Sequence, residues 1–209
     1  MPIKDEDLHG NAPDRSRVAL LLIDVINDFE FEGGEALLEL AMPVAEQIAS
    51  LKERARQLGI PVIYVNDNFG KWRSDLNQIV SHCLEDGVRG ERFVRLLRPD
   101  DQDYFVLKPK HSGFYCTSLE LLLEHVGAWN LIIAGIAGNN CVLATANDAY
   151  MRDFDLLVPS DCSASQTKAE NEHALTQMEK VLKADTRPWR SLELKQLMAD
   201  GRDARRASQ

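Results

Sequence analysis

A three-layer α/β/α fold, with helices on both faces of a parallel sheet, is the architecture this sequence predicts. Five short apolar runs recur along the chain, amphipathic stretches separate them, and several runs end on a charged side chain or a small-residue turn. Runs that are apolar at consecutive positions suit strands buried on both faces. Strands alternating with helices imply right-handed crossovers, and so a parallel sheet.

The first strand is expected over residues 18–24, ending Leu22-Ile23-Asp24. Pro43 suits the first turn of a helix that runs to Leu58, with Gly59 as its C-terminal cap. The second strand is expected over 60–66. Residues 67–103 break the rhythm, mixing Gly, Trp, Asn and charge around short helical patterns at 77–84 and 91–97. Long connections of this kind often build substrate lids. The third strand is expected over 104–108, ending on Lys108. Thr117 and Glu120 have the spacing of a capping box for a helix closed by Gly127. A fourth strand over 130–136 leads into a helix from Asn140 to about Arg152, and a fifth strand over 155–158 precedes a helix over 168–183. The polar tail, 201–209, is expected to fray.

With 209 residues the chain is expected to form one domain spanning 1–209, with a core that needs no disulfides. Asp and Glu outnumber Lys and Arg by 33 to 24, a net charge of −9, which argues against nucleic-acid or anionic-membrane partners and for a small-molecule substrate. The first residues lack the apolar core of a signal peptide, and no run reaches membrane-spanning length, so a soluble, cytoplasmic protein is expected. Cys83, Cys116, Cys141 and Cys162 form no Cys-x-x-Cys pair, which suggests neither a zinc site nor a dithiol motif.

Ligand crevices in open parallel sheets lie outside the carboxyl ends of the strands, and Asp24, Lys108 and the turn before Cys141 all fall there. Each residue alone has a bland explanation: a helix cap, a surface lysine, a packed thiol. Together they supply an acid or base, a cation and a nucleophile. A cysteine at a helix start beside a lysine is expected to have a lowered pKa.

Three blocks carry a resemblance to the isochorismatase-like cysteine hydrolases. They are Leu-Leu-Ile-Asp-x-x-Asn-Asp-Phe (Leu21 to Phe29), Lys-x-x-x-Ser-x-Phe-x-x-Thr-x-Leu (Lys108 to Leu119) and Gly-Ile-Ala-x-x-x-Cys-Val-x-x-Thr-Ala-x-Asp-Ala (Gly135 to Ala149). In family order, the resemblance spans residues 18–182. It implies a six-stranded parallel sheet and an Asp-Lys-Cys triad on Asp24, Lys108 and Cys141. It also implies an oxyanion hole from the Ala137 and Cys141 N–H groups, a non-proline cis bond between Ile136 and Ala137, and a homo-oligomer, a dimer or higher. Phe29, Asn68, Phe69, Trp72 and Phe114 are the candidate substrate-pocket residues.

The chain departs from the nicotinamidase-type members of this family, which carry an Asp-x-His metal motif after the second strand. Here that stretch is Asp67-Asn68-Phe69 with no nearby histidine, so no metal and no cofactor are expected. Gly138 occupies a position where the family often has threonine. Cys141 points away from vinyl-ether hydrolysis and towards amide, ureide or imide cleavage. His82, His111, His125 and His173 suit solvated or capping roles, and Cys83, Cys116 and Cys162 structural ones. Two other functions compete. A nucleotide-binding protein would use the Gly135-x-x-Gly138 turn, which lacks the full glycine fingerprint, and a non-catalytic interaction scaffold would leave the triad idle.

Overall fold

The computed structural model describes residues 15–69 and 75–199. Six parallel strands make one sheet: β1 (Val18–Ile23), β2 (Val62–Asp67), β3 (Tyr104–Lys108), β4 (Asn130–Ile136), β5 (Asp155–Leu157) and β6 (Ser163–Ala164). Their order is β3-β2-β1-β4-β5, and β6 pairs with β4 at Gly135 and Ile136, beyond the stretch that β5 covers. The helices are α1 (Gly34–Gln57), α2 (Leu76–Glu85), α3 (Glu91–Leu96), α4 (Leu119–Val126), α5 (Leu143–Tyr150), α6 (Lys168–Leu182) and α7 (Leu194–Ala199).

The two-residue strand period sorts the apolar runs into two cores. Val18, Leu20 and Leu22 of β1, with Ile132 and Ala134 of β4, share a core with Leu37, Ala41, Ala45 and Ile48 of α1. Ala19, Leu21 and Ile23, with Ile133, face the other way, where Leu123 of α4, Ala146 of α5 and Met178 of α6 close the second core. Every residue of β1 is buried, because the strand is central and covered on both faces. Each such aliphatic side chain contributes about 1.5–3 kcal/mol relative to exposure, which fixes β1 and its register against β2 and β4.

Some element boundaries differ from expectation. The first helix begins at Gly34, with Pro43 inside it, because Leu37 and Ala41 continue the stripe that Ala45 and Ile48 bury. Pro43 and Glu39, whose carbonyl the proline leaves without a helical partner, both face solvent, where that carbonyl is open to water. The Thr117–Glu120 capping box does not form. Ser118 is the N-cap of α4 without a side-chain bond, while Thr117 Oγ1 donates to Gly113 O and accepts from Leu119 N–H. Gly127 does close that helix, at a φ of 80°. A capping box forms instead at Thr167 and Glu170, at the start of α6. The segment before α5 is a π-helical turn, Gly138–Val142. The tail beyond 199 and Trp72 lie outside the described residues.

β1 and β4 pair up to Ile23 and Gly135, and the chain then leaves β1 for α1 on one face and β4 for α5 on the other, which opens a crevice at their carboxyl ends. The residues following β1 and β4, together with the end of β3, meet there. No described helix is long and apolar enough to cross a membrane.

Candidate active site

Where β1 ends, Asp24 turns into the left-handed region at a φ of 50° while its N–H still bonds Val65 O at 3.0 Å. Aspartate tolerates this conformation better than most residues. The turn aims the carboxylate along the sheet edge towards β2 and β3. Asp24 Oδ1 accepts the Asp67 N–H at 2.6 Å, and Oδ2 lies 2.8 Å from Lys108 Nζ.

Lys108 closes β3 in register with Asp67, and its side chain is fully buried. The ammonium is the hub of the site. Besides Asp24 it reaches Lys110 O at 3.1 Å, Cys141 Sγ at 3.4 Å and Asp67 Oδ2 at 3.7 Å. A buried ammonium requires such partners, because an unpaired one would lose its proton or unfold the site.

Cys141 lies in the π-helical turn after β4 and is partly exposed. Two glycines pack closely on the way to it. A Cβ on Gly135, whose φ is 128°, would sit 2.1 Å from Ile23 O of the neighbouring strand. A Cβ on Gly138 would sit 2.1 Å from Asn171 Oδ1. The peptide between Ile136 and Ala137 is cis. Ser165 Oγ accepts the Asn139 N–H at 3.0 Å and donates to Asn171 Oδ1 at 3.2 Å, while Asn171 Nδ2 donates to Ser163 O at 3.1 Å. The end of β6 and α6 thereby brace the turn. Thr145 Oγ1 donates to Cys141 O at 2.7 Å and accepts the Gly113 N–H at 3.0 Å, tying the nucleophile turn to the loop after β3.

Burial pushes the Asp24 carboxyl up from the usual carboxylate range, opposed by the Lys108 charge. For Lys108, burial acts downward, but the Asp24 carboxylate and Cys141 outweigh it and the ammonium is held. The Cys141 thiol goes up to about 12, first through burial and then through the Asp24 carboxylate, which together exceed the help from Lys108. The direction is opposite to the expected lowering, because burial and the Asp24 carboxylate act against the thiolate more than Lys108 favours it. Such a thiol needs a base at the moment of attack.

The expected pocket residues separate. Phe29 is fully buried at a φ of 58°, edge-on to Phe93 of α3 at 5.1 Å between centroids, so it fills the core instead of walling a pocket. Asp28 O accepts the Gly90 N–H at 3.0 Å, which ties the loop after β1 to the start of α3 beside that ring. Phe114 is likewise a core side chain, 5.8 Å from Phe154 and capped by the Arg152 guanidinium at 4.9 Å. Asn68 and Phe69 follow β2 at the crevice edge. Asn68 is buried with its N–H on Lys108 O at 3.2 Å, and Phe69 is exposed at a φ of 52°.

Sequence reasoning missed His111, whose Nδ1 stands 3.8 Å from Cys141 Sγ, and the bracing pair Ser165 and Asn171. Among the described residues no group of three or more His, Cys, Asp or Glu side chains is placed to hold a metal. A concavity of about 760 Å³ lies at the opposite, amino end of β2. Arg56, paired with Asp100 and Asp103, lines it, and it holds none of the residues above.

Residues 18–186 match the family model described as the isochorismatase domain. The chain is 48% identical over 167 residues to the uncharacterized isochorismatase family protein YaaI of Bacillus subtilis, covering 80% of this chain and 91% of that one. It is 29% identical over 193 residues to the ureidoacrylate amidohydrolase RutB of Methylorubrum extorquens, covering 78% and 75%. The crystal structure of N-carbamoylsarcosine amidase from Thermoplasma acidophilum superposes with a TM-score of 0.65 at 25% identity, covering 85% of this chain and 99% of that one. Together with the parallel six-stranded sheet, these matches place the chain in the family of isochorismatase-like cysteine hydrolases, which has amidohydrolase members.

Proposed function

We propose that the protein hydrolyses a carbon–nitrogen bond of a small amide, ureide or imide through a thioester on Cys141. The observation that carries this reading is the contact of one buried ammonium with both a carboxylate and a thiol: Lys108 Nζ lies 2.8 Å from Asp24 Oδ2 and 3.4 Å from Cys141 Sγ. Asp24 takes the thiol proton as sulfur attacks the carbonyl carbon, and Lys108 steadies the charge that moves between them. The N–H groups of Ala137 and Cys141 receive the developing oxyanion. Collapse of the tetrahedral intermediate expels the amine, which leaves with the proton Asp24 had taken, and water then cleaves the thioester. Similarity to RutB and to N-carbamoylsarcosine amidase favours carbamoyl compounds and ureides as first substrates to try.

The reaction as written needs no metal. The four free cysteines suit a reducing cytoplasm. The exposed apolar side chains Leu121, Tyr150 and Met151, on and beside α4 and α5, suit a homo-oligomer. A nucleotide-binding role finds no support in the turn. The Asn139 N–H is already taken by Ser165, and Gly138 backs onto Asn171, so neither is open to a phosphate. The test is release of ammonia or amine from a panel of small amides, carbamoyl compounds and ureides, with wild type and Cys141→Ala side by side. Turnover by wild type alone supports the proposal. Equal turnover by both, or none by either across the panel, counts against it.

A further inference from the structure

The sulfur of Cys141 has a buried side and a wet side. On the buried side stand Lys108 Nζ at 3.4 Å and, behind it, the Asp24 carboxylate with both oxygens engaged, by the Asp67 N–H at 2.6 Å and by Lys108 at 2.8 Å. On the wet side is the exposed His111, its Nδ1 3.8 Å from Sγ. The loop carrying His111 is pinned on each side of it. Lys110 O accepts from Lys108 Nζ at 3.1 Å, and the Gly113 N–H donates to Thr145 Oγ1 at 3.0 Å, the same hydroxyl that bonds Cys141 O. The backbone on each side of His111 is thus fixed by Lys108 and Thr145, which also contact the nucleophile residue.

We propose that His111 is a second catalytic residue, serving hydrolysis of the acyl-enzyme while Asp24 serves its formation. The inference rests on Cys141 being the nucleophile. Water reaching the thioester carbon comes from solvent, on the His111 side, whereas the Asp24 side chain is only 8% exposed. An imidazole both accepts and donates a proton near neutral pH. In the step, water oxygen bonds to the carbonyl carbon and one water proton passes to the imidazole. The tetrahedral intermediate then collapses, the C–S bond breaks with its electron pair going to sulfur, and the imidazolium returns the proton to sulfur across the 3.8 Å contact. The carboxylic acid leaves, and both side chains are as they began. Lys108, Asp24 and Asp67 are the charged groups near this transfer.

The probe is p-nitrophenyl acetate, whose first-turnover burst of p-nitrophenolate reports acylation and whose steady state reports hydrolysis of the acetyl-enzyme. In His111→Gln the burst is expected to persist within about twofold of the wild-type acylation rate, while steady-state turnover falls about 100-fold, the low end of what a general base supplies. Acetylated Cys141 should then accumulate in intact-mass spectra. His111→Ala should regain turnover when imidazole is added, beyond the ester hydrolysis that imidazole causes with Cys141→Ala, and a packing role would not produce that excess. Burst and steady state falling together, or an unchanged steady state, or no rescue by imidazole, would overturn the proposal. A burst that survives Cys141→Ala would instead strike the nucleophile assignment itself, a separable result.

Discussion

Asp24→Asn should make Cys141 more reactive towards iodoacetamide while it abolishes turnover. These opposite effects follow from the two things Asp24 does. Its carboxylate helps push the thiol up to about 12, so removing that charge lowers the pKa and raises the resting thiolate fraction. The amide keeps the shape of the carboxylate, and Lys108, 3.4 Å from the sulfur and freed of its 2.8 Å counter-charge, then favours the thiolate more strongly. A charge in contact moves a pKa by roughly 1–3. Each step is tenfold in thiolate, less about threefold in intrinsic nucleophilicity as the thiol becomes more acidic. Alkylation near neutral pH should therefore rise roughly 3- to 40-fold. Turnover should nevertheless be lost, because no base remains on the buried side to take the proton and hand it to the leaving amine. The assay is the pseudo-first-order alkylation rate resolved by peptide mapping, since the exposed Cys116 also reacts. Slower alkylation of Cys141 in the variant would refute the reasoning, because it would mean the carboxylate creates the thiolate at rest.

Lys108→Met should cost about 3–5 kcal/mol in urea unfolding, because it strands the Asp24 carboxylate in a buried site; a loss under about 1 kcal/mol would mean the pair is not buried as described. Gly135→Ala forces a Cβ to within 2.1 Å of Ile23 O at a φ of 128°, so a loss of about 3 kcal/mol or more should appear as a lower melting temperature. An unchanged melting curve would contradict that packing. Exhaustive chelation should leave turnover intact; loss of activity restored by zinc, iron or manganese would show that a metal takes part.

The three residues at the hub were legible because Asp24 and Lys108 end apolar runs and Cys141 follows the small-residue turn that ends a third, and in a parallel sheet run ends converge. What the pattern lacked was burial. The Cys141 thiol was expected to be acidified by a helix start and a lysine, but its enclosure beside Asp24 reverses the sign. Phe29 and Phe114 have the position of pocket walls in the chain, yet loop paths that periodicity does not encode turn both into the cores. The two-residue β6 has no period to detect, and Pro43, a residue that suits a first helical turn, masks the start of α1 at Gly34. His111 carried one usable signal. It lies three residues beyond Lys108, on a segment that must leave the sheet edge next to the crevice.

The most direct test is to quench turnover of a cleaved amide in acid and map the acyl group by mass spectrometry. The account predicts the acyl mass on the peptide bearing Cys141 and its absence from Cys141→Ala. An acyl group on Cys83, Cys116 or Cys162 with Cys141 unmodified, or turnover with no covalent intermediate under conditions that slow hydrolysis, would contradict it.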